Sequence, residues 1–256
     1  MKDRFTYVDV LMYVFPGVYG LAILMLGLHT VGVDFPAWGK GVLGSVVFLC
    51  LAFFVGTAIQ ATSRRVENRL KEKYWKGHFP SAHMFHRKEC ELLGIPETSR
   101  VQLLKQLVEC GLTTSETTKL FDNDVSVESA KHAQDLSNVL RSYLAEADVQ
   151  NRMRGAEAHY LYYRGVTWLC TLGALYLAVA IGCHSVAPQI FGRGLVDQSA
   201  VIAGALAVLL LICCHYVFRD RARGAALGLS RVVYRIARAH FAQGEKEQGT
   251  KLIVVR

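Results

Sequence analysis

Two apolar patterns run through the chain: unbroken blocks of about twenty residues, and stripes that recur every three or four residues between charged positions. The blocks cover Val8–Leu28, Gly41–Ala61, the second half of Val149–Cys183, and about Ala200–Phe218. Each is long enough to cross a hydrocarbon core of ~30 Å as a helix. The third block begins as the amphipathic VQNRMRGAEAHYLYYRG, with Val149, Met153, Ala156, Tyr160 and Tyr163 on one helical face. It continues as VTWLCTLGALYLAVAIGC, which holds no acid or base. At ~1.5 Å per residue one such helix is ~50 Å long, so roughly 20 Å projects beyond the bilayer. The alternative is two helices broken at Gly155.

The first block has a basic start and could pass for a signal peptide, but it is too long for the usual apolar region and has no small-x-small cleavage site. It therefore reads as a span. Pro16-Gly17 in its middle predicts a kink, tolerable where a neighbouring helix satisfies the freed carbonyl. Asp9 belongs at the interface, and Trp38, in the turn His29–Lys40, is an interfacial anchor. The second block runs directly into SRRVENRLKEKYWK, a basic helical extension.

Residues 62–165 carry helical stripes. Thr98 or Ser99 is placed to cap RVQLLKQLVECGL, where Val101, Leu104 and Val108 share a face and Gly111 ends the run. TTSETTKLFDNDVS reads as a polar connector. SVESAKHAQDLSNVLRSYLAEA keeps Ala133, Leu136, Leu140, Tyr143 and Ala147 in phase. The phase slips between Ala147 and Val149, predicting a break with Asp148 as a cap. Small residues at four-residue spacing mark the last two blocks: Ala174, Ala178 and Gly182, then Ala200 with Gly204 and Ala203 with Ala207. Such stripes let helices approach closely, within a chain or between copies.

Hydrophobic residues make up 52% of the 256, and the formal charge is +8. The charge sets orientation. Arg64, Arg65, Arg69 and Lys71 follow the second block, Arg152, Arg154 and Arg164 precede the third, and Arg219, Arg221 and Arg223 follow the fourth. The short turns hold only Lys40 and Arg193. The positive-inside rule then puts both termini and the central region in the cytoplasm. Ser63–Lys88 has eight Lys/Arg against two Glu, whereas Glu89–Gln150 has eleven acidic residues against five basic ones. The tail, Arg219–Arg256, has nine basic residues and three acidic ones, with Leu227, Val232, Tyr234 and Ile236 among arginines. That suits a helix lying on anionic lipid or docking on the central domain. The basic collar beside the spans favours anionic lipid headgroups over nucleic acid, since little aromatic stacking surface interleaves with it.

The expected architecture is all-α: an integral membrane protein with four transmembrane helices and a helical cytosolic domain between spans 2 and 3. It divides into a first hairpin 1–61, a cytosolic domain 62–165, a second hairpin 166–218 and a basic tail 219–256.

Candidate chemistry is sparse. In HFPSAHMFHRKEC, a helix from Ser81 would put His83, His86 and Cys90 on one side, with His78 as a fourth ligand for zinc. The spacing matches no standard finger and Pro80 interrupts it, so a surface histidine cluster is preferred and no metal is assigned. The seven cysteines, Cys50, Cys90, Cys110, Cys170, Cys183, Cys213 and Cys214, form no CxxC and read as small hydrophobes. His29, His184 and His215 sit near span ends, and none of the last three spans has the deep carboxylate a proton path needs. The order of two spans, a cytosolic domain and two spans is similar to rotary-motor stators in architecture alone. There is no Walker loop, GxSxG, GxGxxG or paired carboxylate motif.

Arg235-Ile-Ala-Arg-Ala-His240 resembles the Arg-x4-His motif of HEPN-type ribonucleases, which implies histidine and arginine handling proton transfer and phosphate charge. Ile236 stands where that family usually has a polar residue, and an arginine-rich tail yields such spacings by chance. YVDVLMYVFPGVYGL and RMRGAEAHYLYYRG resemble segments of small multi-span prokaryotic membrane proteins associated with antiviral defence, including membrane partners of RNA-targeting CRISPR nucleases. That resemblance implies an effector that oligomerises and depolarises or permeabilises the inner membrane once infection is sensed, and it transfers no catalytic residue. The expectation is a non-enzymatic bacterial inner-membrane effector without cofactor. It would form a homo-oligomer and receive its trigger, or a cytosolic protein partner, on the cytosolic domain. A membrane scaffold or sensor is the alternative, with an ion or solute transporter behind it.

Overall fold

The computed structural model describes residues 10–31, 33, 42–123, 125–146, 150–191 and 197–254, and every element among them is helical. A π-helical turn, Val10–Val14, opens into α1, Phe15–Thr30. Helix α2 spans Val42–Thr62, and after Ser63 the chain resumes as α3, Arg64–Tyr74. Two 3-10 turns, Pro80–Met84 and Cys90–Leu93, precede α4, Glu97–Glu109, α5, Ser115–Leu120, and α6, Val127–Glu146. Helix α7 runs Gln150–Phe191 and α8 runs Asp197–Cys213. A second π-helical turn, Cys214–Phe218, leads into α9, Arg219–Val254. Four helical stretches among the described residues are long and apolar enough to cross a membrane: Val10–Thr30, Gly44–Tyr74, Met153–Cys183 and Ala200–Ala242. Asp9, Trp38, Lys40, Arg193 and the expected break at Ala147–Val149 lie outside the described residues.

The chain forms two compact units, one from residues up to Arg69 with Ala158–Arg223, the other from Leu70–Glu157 with Gly224 onward. The changeovers, at 69/70, 157/158 and 223/224, fall inside helices. In the first unit α7 is the central helix, buried on all sides from Arg164 to Cys170. Ile23 of α1, Ile59 of α2, Leu169 and Leu177 of α7, and Ala203 and Ala207 of α8 share one core. Helices α1 and α2 meet backbone to backbone: a Cβ on Gly17 would run into the Ala52 carbonyl, and one on Gly56 into the Tyr13 carbonyl. The small-residue contact of the first hairpin is therefore Gly17 against Ala52 and Gly56. Of the stripes read from the last two blocks, Ala174, Ala203 and Ala207 are buried, whereas Ala178 and Gly182 face outward. Leu175, Val179, Val201, Val208, Leu209 and Ile212 are exposed as well, as suits helices solvated by lipid tails.

The second unit corrects several expectations. Helix α4 starts at Glu97 with Pro96 as its N-cap and no side-chain cap. Proline's fixed φ suits a helix start, and Ser99 Oγ instead accepts from Arg238 Nη1 at 3.1 Å. The buried face of α4 is Arg100, Leu103, Leu104 and Leu107, with Val101 half-exposed. Gly111, at φ 69°, ends the helix as expected, with Leu112 N–H donating to Leu107 O in a Schellman closure. The polar connector contains α5, capped by Thr114 Oγ1, which accepts from Thr117 N–H at 3.2 Å. Ser126 and Ser129 cap each other reciprocally at the start of α6. The middle of α9 docks on this unit: Arg231 Nε donates to Leu93 O at 2.9 Å, and the Phe241 ring stacks on Tyr143 at 6.0 Å. Docking, one of the two readings of the basic tail, is realised over these residues.

Candidate functional site

Pro16 has no N–H to give the carbonyl four residues before it, that of Met12. Gln60 of α2 supplies the missing donor. Its Nε2 donates to Met12 O at 2.9 Å and to Leu161 O of α7 at 3.0 Å. Both neighbours are carbonyl oxygens, so the amide nitrogen must face them. Gly165 leaves the space, since a Cβ there would sit 2.5 Å from Gln60 Nε2. Gln60 is 7% exposed, and its Oε1 is buried without a partner among the described residues.

One turn on, the helix is interrupted at Ser63, which leaves the carbonyl of Gln60 to be satisfied by side chains. Ser63 Oγ donates to it at 2.8 Å, and Arg164 Nη2 lies at 3.4 Å. The same guanidinium donates through Nε to Ser63 Oγ at 3.0 Å and through Nη1 to Glu67 Oε2 at 2.6 Å. Tyr160, one turn before Arg164 on α7, donates its hydroxyl to Glu67 Oε2 at 3.0 Å and sets its ring 5.6 Å from the guanidinium. Trp168, one turn after, donates Nε1–H to Thr62 Oγ1 at 2.8 Å. Helices α2, α3 and α7 and the turn before α1 are thereby tied at the polar end of the apolar stretches. The group holds a permanent cation, a carboxylate and an amide with fixed roles, and no nucleophile paired with a base. It can clasp helices or release them. Sequence reading singled out Arg164 for charge and Tyr160 for helical phase, but passed over Gln60, Ser63 and Glu67. The missed signal is that Ala52, Gly56, Gln60, Ser63 and Glu67 recur every three or four residues along one face.

In the second unit, the histidine segment is not an α-helix, so His83, His86 and Cys90 do not line one face. Nor is it a surface cluster: His83 is 3%, His86 1% and Cys90 0% exposed. Glu89, also buried, accepts from His83 Nδ1 and from Lys76 Nζ. Burial alone would raise its pKa, but those two hydrogen bonds outweigh it and bring the carboxyl down to about 2. Burial, followed by the neighbouring His83, lowers the pKa of His78. Burial also lowers that of His86, whose two ring nitrogens have no partner among the described residues. Burial pushes the Cys90 thiol up, and its Sγ donates to Arg87 O at 3.3 Å. Among the described residues no three His, Cys, Asp or Glu are gathered to hold a metal ion. The lysine on Glu89 already fills the place of a cation.

Arg100, 2% exposed, donates to Phe85 O at 2.9 Å and to Asp122 Oδ1 at 2.6 Å. It borders a groove of about 420 Å³ that Val101, Leu104 and Val108 line on one side and Ser115 and Thr118 on the other. Arg235 is exposed, whereas His240 packs edge-on against Tyr143 at 5.6 Å. Five residues on one α-helix separate the two by roughly 140° around its axis, so one copy does not present them as a pair. His29 is exposed at the end of α1, and the His184 and His215 side chains lie outside those described. Comparison with protein-family models, with curated proteins and with solved structures gives no match for this chain.

Proposed function

We propose that this chain is a multi-pass effector of the bacterial inner membrane, with both termini in the cytoplasm, that self-associates and permeabilises or depolarises the membrane when its cytosolic unit is triggered. The observation that carries the reading is the division of the small-residue stripes. Ala174, Ala203 and Ala207 are consumed inside the chain, while Ala178 is exposed and Gly182 has nothing within 4 Å of where its Cβ would be. A glycine and an alanine one turn apart on the outside of a membrane helix suit the close approach of a helix from another copy. The clasp around Arg164 gives the membrane unit a polar joint close in sequence to the changeovers into the triggered unit.

Induced expression in cells bathed in a membrane-impermeant dye tests the reading. Dye influx is expected from the parent, and the Ala178→Leu/Gly182→Leu variant should insert normally, run as a smaller species in mild detergent and admit at least tenfold less dye. A second reading, a membrane scaffold that recruits a soluble partner, is favoured by the groove beside Arg100, whose apolar wall includes the half-exposed Val101. A parent that admits no dye under any trigger, yet retains a partner lost on Val101→Asp, puts the scaffold first.

A further inference from the structure

Helix α3 separates its charges by face. Val66 and Leu70 are buried with Ser63, and Glu67 is turned inward to Arg164 and Tyr160. Arg64, Arg65, Asn68 and Arg69 are exposed. The one acid of these two turns is thus neutralised inside the unit, and the outward surface is a patch of three guanidiniums. Arg65 is also pre-oriented. Its guanidinium carbon lies 5.8 Å from the centre of the Trp168 ring, and Trp168 is itself fixed on Thr62.

Depth selects the partner. The apolar helix α2 ends at Thr62, and Arg64 to Arg69 lie from ~3 to ~10 Å beyond it. The headgroup layer on each side of a ~30 Å hydrocarbon core is about 5–8 Å thick. Guanidiniums at that level meet lipid phosphates directly and match them in charge and fork geometry. Single-stranded nucleic acid would want an open aromatic face to stack on, and the aromatic in contact with the patch, Trp168, is buried and covered by Arg65. From this juxtaposition we infer that Arg64, Arg65 and Arg69 form a docking surface for the phosphate groups of anionic phospholipid. The surface stands apart from the permeabilisation reading, because lipid retention is measured without dye or current.

The full chain in neutral detergent, mixed with phosphatidylglycerol or with phosphatidylcholine of the same acyl chains, is read by native mass spectrometry for lipid held per chain. Phosphatidylglycerol is expected to be retained on the order of a hundredfold over phosphatidylcholine. Arg64→Gln/Arg69→Gln, which leaves the Arg65–Trp168 contact in place, should lower that preference about fivefold for each charge removed. Adding Arg65→Gln should abolish it, and the triple lysine variant should keep most of it. Equal retention of the two lipids, or a preference untouched in a well-folded double glutamine variant, overturns the inference. Displacement of the lipid by millimolar inorganic phosphate would reassign the patch to a free anion. A 20-nucleotide RNA bound in its place, and lost in the same variants, would reassign it to nucleic acid.

Discussion

At the scale of single residues, the first unit depends on polar groups doing what the backbone leaves undone. Arg164 answers an interrupted helix at Ser63 and a carboxylate at Glu67 together. Removing one partner of a buried ion pair costs about 3–5 kcal/mol, and here about 2–4, because a fifth of the Glu67 side chain reaches solvent. Arg164→Met is therefore expected to lower the melting midpoint in detergent far more than Glu67→Leu/Arg164→Met together, which leaves no orphaned charge. Equal losses would mean the pair contributes nothing beyond packing. In the second unit the groups whose titration is shifted include His78, His86 and Glu89. His86 is packed edge-on against Phe121, with Arg100, His83, His78 and Glu89 as its charged surroundings. Its folded pKa lies below 6.5, so the unfolded chain binds the proton more readily and stability falls as pH drops through and below 6.5. Glu89 has the same sign at lower pH: its contribution is complete above 4.5 and is lost as pH falls from there towards 2. Thermal melts of the parent should therefore decline in two legs, and His86→Phe should shrink the upper leg, to which His78 also contributes, while leaving the lower leg in place.

At the scale of elements, hydropathy placed the first two long helices to within a few residues, because a block of twenty apolar residues leaves few ways to be wrong, whereas α7 runs eight residues past Cys183. The helix through Gly155 is continuous, so of the two readings of Val149–Cys183 the unbroken one holds over its described part, Gln150 onward. The amphipathic faces of the second unit were harder to read. Arg100 is the largest of the fully buried side chains, and a pattern that counts only apolar positions cannot choose it. The face consequently came out rotated, onto Val101, Leu104 and Val108. Pro80 and the positive φ of Lys76 and Gly77 turn the histidine segment away from α-helix, and a spacing argument that assumes a helix fails there. Likewise the small-residue signal was legible, but its use was not: Gly56 and Gly182 look alike in sequence. Gly56→Ala forces a Cβ onto the Tyr13 carbonyl and is expected to destabilise the first hairpin by about 1–3 kcal/mol. Gly182→Ala meets open space and gains about 1 kcal/mol of helix propensity. Melting midpoints of the two variants should move in opposite directions.

At the scale of the whole molecule, the chain passes between its two units inside α3, α7 and α9 rather than through loops. In α7 the changeover at Glu157–Ala158 lies one turn from Gly155, which has no atoms within 4 Å of where a Cβ would point. Under the proposed function a trigger received in one unit reaches the other along this helix. Gly155→Pro removes a helical hydrogen bond at a cost of ~3 kcal/mol. It should retain membrane localisation while dye influx falls to background, whereas Gly155→Ala should keep or raise influx. A proline variant as active as the parent would mean that the signal takes another route.

The amide of Gln60 has a bearing on how the protein is made. Its two acceptors belong to segments synthesised far apart, one some fifty residues before it and the other a hundred after it. While the ribosome is still extending the second unit, the first hairpin can already close on Gly17 and Gly56, which need nothing from later in the chain. One of the two amide hydrogens, and the whole place reserved for Arg164, must wait for α7. Assembly of the first unit therefore has a natural order: the hairpin of α1 and α2 can close first, and its polar end is completed only when the central helix arrives.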